Sequence, residues 1–234
     1  MDASIPYPDP ATRRTALASV FAALDAELRG AAAKSTDAST AKSLREFTRL
    51  LSSIGPNLAA REPVGPSERL TVCRFWDVGL RTASGIPNAL VAALETLGPC
   101  FSWVQNPNYR RQPPDPSFLD NYGYAVIAGP ADGPPALGID PRLALGVLLL
   151  GPHAHYPLHA HPAVEIYYTL TAGAEWWRGG GPWRQEPAGA VIHHAPRVRH
   201  ATRAGVTPLL AMYLWRGDLV THARLTGGGP AAPA

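Results

Sequence analysis

The segment LLLGPHAHYPLHAHPAVEIYYTL, residues 148–170, carries His-Ala-His twice, at 153–155 and at 159–161. Only the second copy is followed, four residues on, by a carboxylate, Glu165. Alternate side chains of an extended strand share a face, so His159, His161, Glu165 and Tyr167 are expected to point the same way. Two imidazoles and a carboxylate suit a divalent transition metal ion with one or two positions left open for catalysis. A further ligand must come from another strand, and PAGAVIHHAPRVRHA (187–201) offers His193, His194 and His200. His153 and His155 read as loop or rim residues, and His193 and His194 as hydrogen-bonded residues ending a strand. His222 reads as solvent-exposed.

These residues need elements to hold them. Leu17, Val20, Phe21, Leu24 and Leu28 recur at helical spacing within residues 11–33. A second helix is expected over 39–54, capped by Ser39 or Thr40, with Leu44, Phe47, Leu50, Leu51 and Ile54 as its buried stripe. A third is expected over 87–97, opened by Pro87, and residues 101–121 read as a proline-rich, polar connection. From Tyr122 onward the texture changes to short β-favouring runs such as YGYAVIAG, LALGVLLLG and LLAMYLW, punctuated by Gly and Pro. Such runs without intervening helices predict an antiparallel barrel or sandwich. The expected division is a helical region over 1–121, a β region over 122–226 and a disordered tail over 227–234.

Composition narrows the classes of partner. The chain has 234 residues, 46% of them hydrophobic, enough for a sizeable core, and a formal charge of +3. Its 21 Lys and Arg are scattered, which argues against nucleic acid and favours a small anionic or zwitterionic molecule. Lys42, Arg45 and Arg49 on the second helix could suit a DNA-reading regulator, but a solvated helix face accounts for them equally well. No run approaches the ~20 apolar residues of a membrane helix, and the start lacks the features of a secretory signal. The expectation is a cytoplasmic protein with no membrane partner, compatible with a homodimer. Cys73 and Cys100 stand far apart and read as buried free thiols.

The pattern His159, His161, Glu165, with Gly151 before and Gly173 after, resembles the first motif of the cupin family. Pro187, Gly189, Pro196 and His200 match the second motif, which singles out His200 over His194. The resemblance implies a mainly β fold, the cupin double-stranded β-helix or jelly-roll barrel, with an N-terminal α-helical region packing on it. It implies one metal ion held by His159, His161, Glu165 and His200. The ion's identity stays open among zinc, iron, manganese, cobalt and nickel. The two glycines lie slightly farther from the ligands than is usual, and the asparagine that often follows the last histidine is missing.

The residues around the ligands narrow the resemblance. A tyrosine three residues before the first ligand, another two after the glutamate, and the stretches VRHATRA and LLAMYLWRGDL resemble the bacterial cupin lyases that cleave dimethylsulfoniopropionate (DMSP). That family implies β-elimination to dimethyl sulfide and acrylate. Tyr167 is the expected base and Tyr156 the alternative, provided Pro157 breaks the strand register and turns it inward. Trp215 is the expected receptor for the sulfonium through cation–π attraction, with Tyr122 a further substrate contact and Tyr124, Trp176 and Trp177 weaker candidates. Alternation allows only one of the last two to face inward. The same ligands would also serve a cupin oxygenase or isomerase acting on another small carboxylate, or a metal-dependent sensor. If the second His-Ala-His is the metal site, His161→Ala will lose bound metal, measured by elemental analysis, while His153→Ala keeps it. Equal loss in both variants would show that the wrong pair was chosen.

Overall fold

The computed structural model describes residues 7–63 and 69–227; most of the expected tail, 228–234, lies outside them. The helices are α1 (Pro10–Lys34), α2 (Ala38–Ile54), α3 (Trp76–Thr82), α4 (Asn88–Leu97) and α5 (Pro107–Arg111). None is long and apolar enough to cross a membrane. The Asp9 carboxylate accepts from the backbone N–H groups of Ala11 and Thr12 and so caps α1. Asp37, not Ser39 or Thr40, caps α2 by accepting from the Thr40 N–H at 2.6 Å, so that helix starts earlier than expected. Pro87 stands at the cap of α4 rather than inside it. Lys42, Arg45 and Arg49 are exposed, as a solvated face requires.

The strands are β1 (Ala59–Ala60), β2 (Trp103–Val104), β3 (Tyr122–Gly129), β4 (Ala136–Ile139), β5 (Ala144–Leu150), β6 (His155–Ala160), β7 (Val164–Thr169), β8 (Glu175–Arg178), β9 (Arg184–Gln185), β10 (Val191–His194), β11 (His200–Arg203), β12 (Leu209–Arg216) and β13 (Arg224–Leu225). They form two sheets. The larger runs β1-β4-β3-β5-β12-β7-β10, with β2 also on β3, and the smaller runs β13-β6-β11-β8-β9. This is the cupin architecture with an N-terminal helical region. One expectation fails in detail: β4 pairs with β3 in parallel, the Pro- and Gly-rich turn between them bringing the chain back to the level of Val126, midway along β3. β1 and β2, from the helical part of the chain, also join the larger sheet.

The larger sheet is buried on both faces, which explains why β5 and β12 read as continuous apolar runs. Leu145, Val147, Leu149, Ile166, Leu210, Met212 and Leu214 pack on one side with Val20, Leu24, Leu28, Phe47 and Leu94 of the helices. On the other side Leu148, Tyr167, Ala211 and Tyr213 join Tyr122, Tyr156 and Trp176 in the barrel interior. Trp177 belongs instead to a separate cluster with Leu158 and Ala201, so one tryptophan of the pair faces inward as alternation demands. Cys73 and Cys100 are buried free thiols.

The segment expected as a polar connection does more than connect. Its Tyr109 and Phe118 are buried against Tyr122 and Tyr156, so α5 and the turn after it close one side of the barrel.

At Gly146 the sheet and an interior side chain approach too closely for any other residue. A Cβ there would lie 2.1 Å from the Ala125 carbonyl oxygen and 2.7 Å from the Tyr213 ring. Gly30, on the exposed side of α1, has nothing within 4 Å of the same position. Gly146→Ala is expected to destabilise by about 1–3 kcal/mol or more through overpacking. Gly30→Ala is expected to stabilise by about 0.5–1 kcal/mol through helix propensity. Urea unfolding midpoints measure both.

Candidate metal and substrate site

Strand alternation on β7 puts Glu165 and Tyr167 on the inner face, and both are almost fully buried. β6 supplies His159, and His161 follows directly after that strand. β11 pairs with β6 so that His200 lies opposite His159. One ligand atom from each of His161, Glu165 and His200 lies within 4.8 Å of the other two. Glu165 Oε2 is 3.1 Å from His161 Nε2 and 3.2 Å from His200 Nε2. His159 stands beside that group rather than within it, its ring edge-on to His200 with centroids 4.1 Å apart.

Backbone carbonyls fix the tautomers of three histidines. Nδ1 of His159 faces the Pro157 oxygen at 2.7 Å, that of His161 the Ala163 oxygen at 3.2 Å, and that of His200 the Val198 oxygen at 3.0 Å. A carbonyl only accepts, so each Nδ1 donates, and in the neutral ring each Nε2 keeps a lone pair for a proton or a metal ion. The His200 Nε2 is buried without a hydrogen-bond partner. Two such nitrogens and a carboxylate oxygen, crowded together out of water, repel unless a proton or a metal ion sits among them. The donor set therefore fits a divalent transition ion.

The surroundings set the charges. Burial holds the His159 imidazole well below its usual pKa, with the neighbouring His200 acting in the same sense. The ring is thus neutral and free to ligate. Burial acts to raise the Glu165 carboxyl, but the adjacent His161, His194 and His200 outweigh it and hold the group well below the usual range. The Tyr167 phenol is pushed well above its usual value by burial and by the Glu165 charge. Tyr156 and Tyr122 are pushed up by burial in the same way.

Tyr156 does turn inward. Thr202 pairs with Tyr156 while His200 pairs with His159, so three residues of β6 span two of β11, a bulge at Pro157 and Leu158. The bulge brings the Tyr156 ring flat against His159, with centroids 3.9 Å apart, and its hydroxyl donates to that of Tyr109 at 3.2 Å.

A cavity leads outward from Glu165, walled by Tyr122, Tyr124, Tyr156, Tyr167, Tyr213 and Trp215. No Lys or Arg lines it among the described residues. Trp215 is bound more closely to the ligand set than expected: its indole N–H donates to Glu165 Oε1 at 2.6 Å, and its ring stacks on His161. Tyr213, missed in the sequence, was accessible by parity, since it lies two residues before Trp215 on one strand.

His194 lies inside the site and contacts Glu165 Oε2 through Nδ1 at 2.9 Å. His193 points away toward α2, with Nδ1 3.1 Å from the Thr40 hydroxyl. His153 sits in a turn with a positive φ of 59°, and His155 is exposed at the start of β6. The expectation for His222 is corrected: it is half-buried and lines the cavity mouth. The side-chain amides of Asn106 and Asn108 both donate to the carbonyl of its neighbour, Ala223, and draw that segment over the opening. No local sequence signal announces a contact across more than a hundred residues.

Comparison with known proteins agrees with this geometry. A profile of the DMSP lyase family matches residues 42–211. The chain is 38% identical over 109 residues to the dimethylsulfoniopropionate lyase DddQ of Ruegeria pomeroyi, an alignment covering 47% of this chain and 52% of that protein. It thus spans about half the length of DddQ in sequence. It is 28% identical to the putative dimethylsulfoniopropionate lyase DddL of Cereibacter sphaeroides, covering 76% of this chain and 71% of that one. The crystal structure of Ruegeria pomeroyi DddQ superposes with a TM-score of 0.64 at 26% identity, over 90% of this chain and 98% of that one. With more than half of its length matched by the family profile, the chain belongs to the dimethylsulfoniopropionate lyase family of carbon–sulfur lyases.

Proposed function

We propose that this protein is a metal-dependent lyase that cleaves DMSP to dimethyl sulfide and acrylate by β-elimination, with Tyr167 as the base. The observation that carries the reading is that Glu165, which meets His161 and His200 in one cluster, also lines an aromatic cavity with no Lys or Arg among the described residues. DMSP is a zwitterion whose sulfonium has no hydrogen-bond donor, so aromatic faces are its natural receptor and a Lys or Arg would repel it. Trp215, Tyr122, Tyr124 and Tyr213 supply such faces.

His161, Glu165 and His200 would hold the ion, with His159 as the fourth ligand. When bound, the ion supplies positive charge that stabilises enolate-like charge developing beside the substrate carboxylate. Tyr167 shares the inner face with Glu165 two residues away and takes the α-proton onto its phenolate oxygen. The electrons of the Cα–H bond form the new double bond, and those of the C–S bond leave with neutral dimethyl sulfide. Burial and the Glu165 charge keep the Tyr167 phenol protonated, so Tyr167 is a competent base only where positive charge lies beside it. Tyr156, flat against His159, orients that ring and lines the substrate carboxylate's side of the cavity.

Headspace detection of dimethyl sulfide after DMSP is added to purified protein loaded with defined metals tests the activity. No release with any of several ions would sink it. Tyr167→Phe keeps the ring and removes the accepting oxygen, so turnover is expected to fall ~10²- to 10⁴-fold, about 3–5 kcal/mol of barrier, with metal content unchanged. Because the base acts deprotonated, the wild-type rate should rise with pH through the Tyr167 ionisation, and the variant should lose that limb. Normal turnover in Tyr167→Phe with its loss in Tyr156→Phe would pass the role to Tyr156.

A further inference from the structure

Glu165 is approached from both neighbouring strands. β7 lies between β12 and β10, and the register places Trp215 opposite Glu165 on one side and His194 opposite it on the other. The contacts divide the carboxylate. Trp215 Nε1 donates to Oε1 at 2.6 Å, while His194, His161 and His200 all gather at Oε2, between 2.9 and 3.2 Å.

His194 also differs in kind from the other inner histidines. Their Nδ1 atoms face backbone carbonyls, which sets Nε2 free toward the ligand cluster. The His194 Nδ1 instead faces the carboxylate itself, and its Nε2 is buried without a partner. An ionised carboxylate only accepts, so this Nδ1 carries the hydrogen and donates. The ring lies nearly parallel to His200 with centroids 3.9 Å apart, so it backs one candidate ligand while it holds another.

We propose that His194 and Trp215 are positioning residues that clamp Glu165 from its two neighbouring strands, so that Oε1 is anchored and Oε2 alone is presented to the metal ion. His194 is on this reading a second support of the site and not a ligand. The inference rests on the metal-dependent reading above. Its physical purpose is to keep coordination positions open. A carboxylate free to rotate can chelate through both oxygens and take a position that the substrate needs.

The test uses full-length protein stripped of metal and reloaded with zinc or cobalt(II), comparing wild type, His194→Ala, His194→Asn, Trp215→Phe and His161→Ala. Zinc affinity is read by chelator competition, stoichiometry by elemental analysis, and ligand geometry by the visible spectrum of the cobalt form. His194→Ala and Trp215→Phe are expected to keep one ion per chain, bind it ~10- to 100-fold more weakly and show altered cobalt bands. His194→Asn, which restores an N–H donor, should recover most of the affinity and the wild-type bands. Loss of stoichiometric metal in His194→Ala to the extent seen in His161→Ala would make His194 a ligand and overturn the proposal. Wild-type affinity and unaltered bands in both His194→Ala and Trp215→Phe would overturn it too, by reducing the contacts to packing. Should His194→Ala fail to fold by circular dichroism, His194→Asn and Trp215→Phe decide: affinity in His194→Asn as weak as in Trp215→Phe, or wild-type affinity and bands in Trp215→Phe, would overturn the clamp. A wild-type protein that binds neither ion would instead remove the metal-dependent reading on which the clamp rests.

Discussion

A carboxylate with 1% of its surface exposed must be matched by positive charge or by donors, and much of the interior here is arranged around that demand at Glu165. The indole of Trp215 and the imidazole of His194 supply donors, while His161 and His200 turn Nε2 atoms toward it that in the neutral rings can only accept. Matching is incomplete without a cation. The arrangement suits a metal ion, whose binding would relieve that crowding.

That local conflict is tolerable because the surrounding sheet is rigid. Burial on both faces leaves β5, β7 and β12 little freedom to shift, and the helical layer closes the outer face with an apolar core. The Glu46–Arg216 ion pair ties α2 to the end of β12, next to Trp215. The N-terminal helices thus have a physical connection to the site without contributing a candidate ligand. They hold the strand that holds the tryptophan that holds the glutamate.

The cavity follows from the same division of faces. Apolar aliphatic residues fill the outer side of the larger sheet, and aromatic residues dominate the inner side, where rings meet edge-on, as Tyr124 and Tyr213 do, or tilted, as Tyr167 and Trp176 do. The chamber has aromatic walls, a carboxylate at its floor and no Lys or Arg among the described residues, an electrostatic setting that favours positive over negative charge. On the proposed function it would accept a cationic group without hydrogen-bond donors and disfavour an anion except where a metal ion could receive it.

What the sequence determined by itself is whatever depends on one strand's own geometry. Alternation set Glu165 and Tyr167 on one face and allowed only one of Trp176 and Trp177 inside, because those directions follow from the pleat. Helical periodicity likewise marked the buried stripes of α1 and α2, although a carboxylate at Asp37 displaced the expected cap. Tertiary structure decided everything that lies across strands: that His194 meets Glu165 while His193 turns to α2, that the bulge at Pro157 brings Tyr156 onto His159, that Tyr109 packs on Tyr122, and that Asn106 and His222 line the cavity. Register is a non-local property, chosen by how two faces bury their side chains against the rest of the molecule. A shift of one residue would exchange His193 for His194 without changing a letter of either strand.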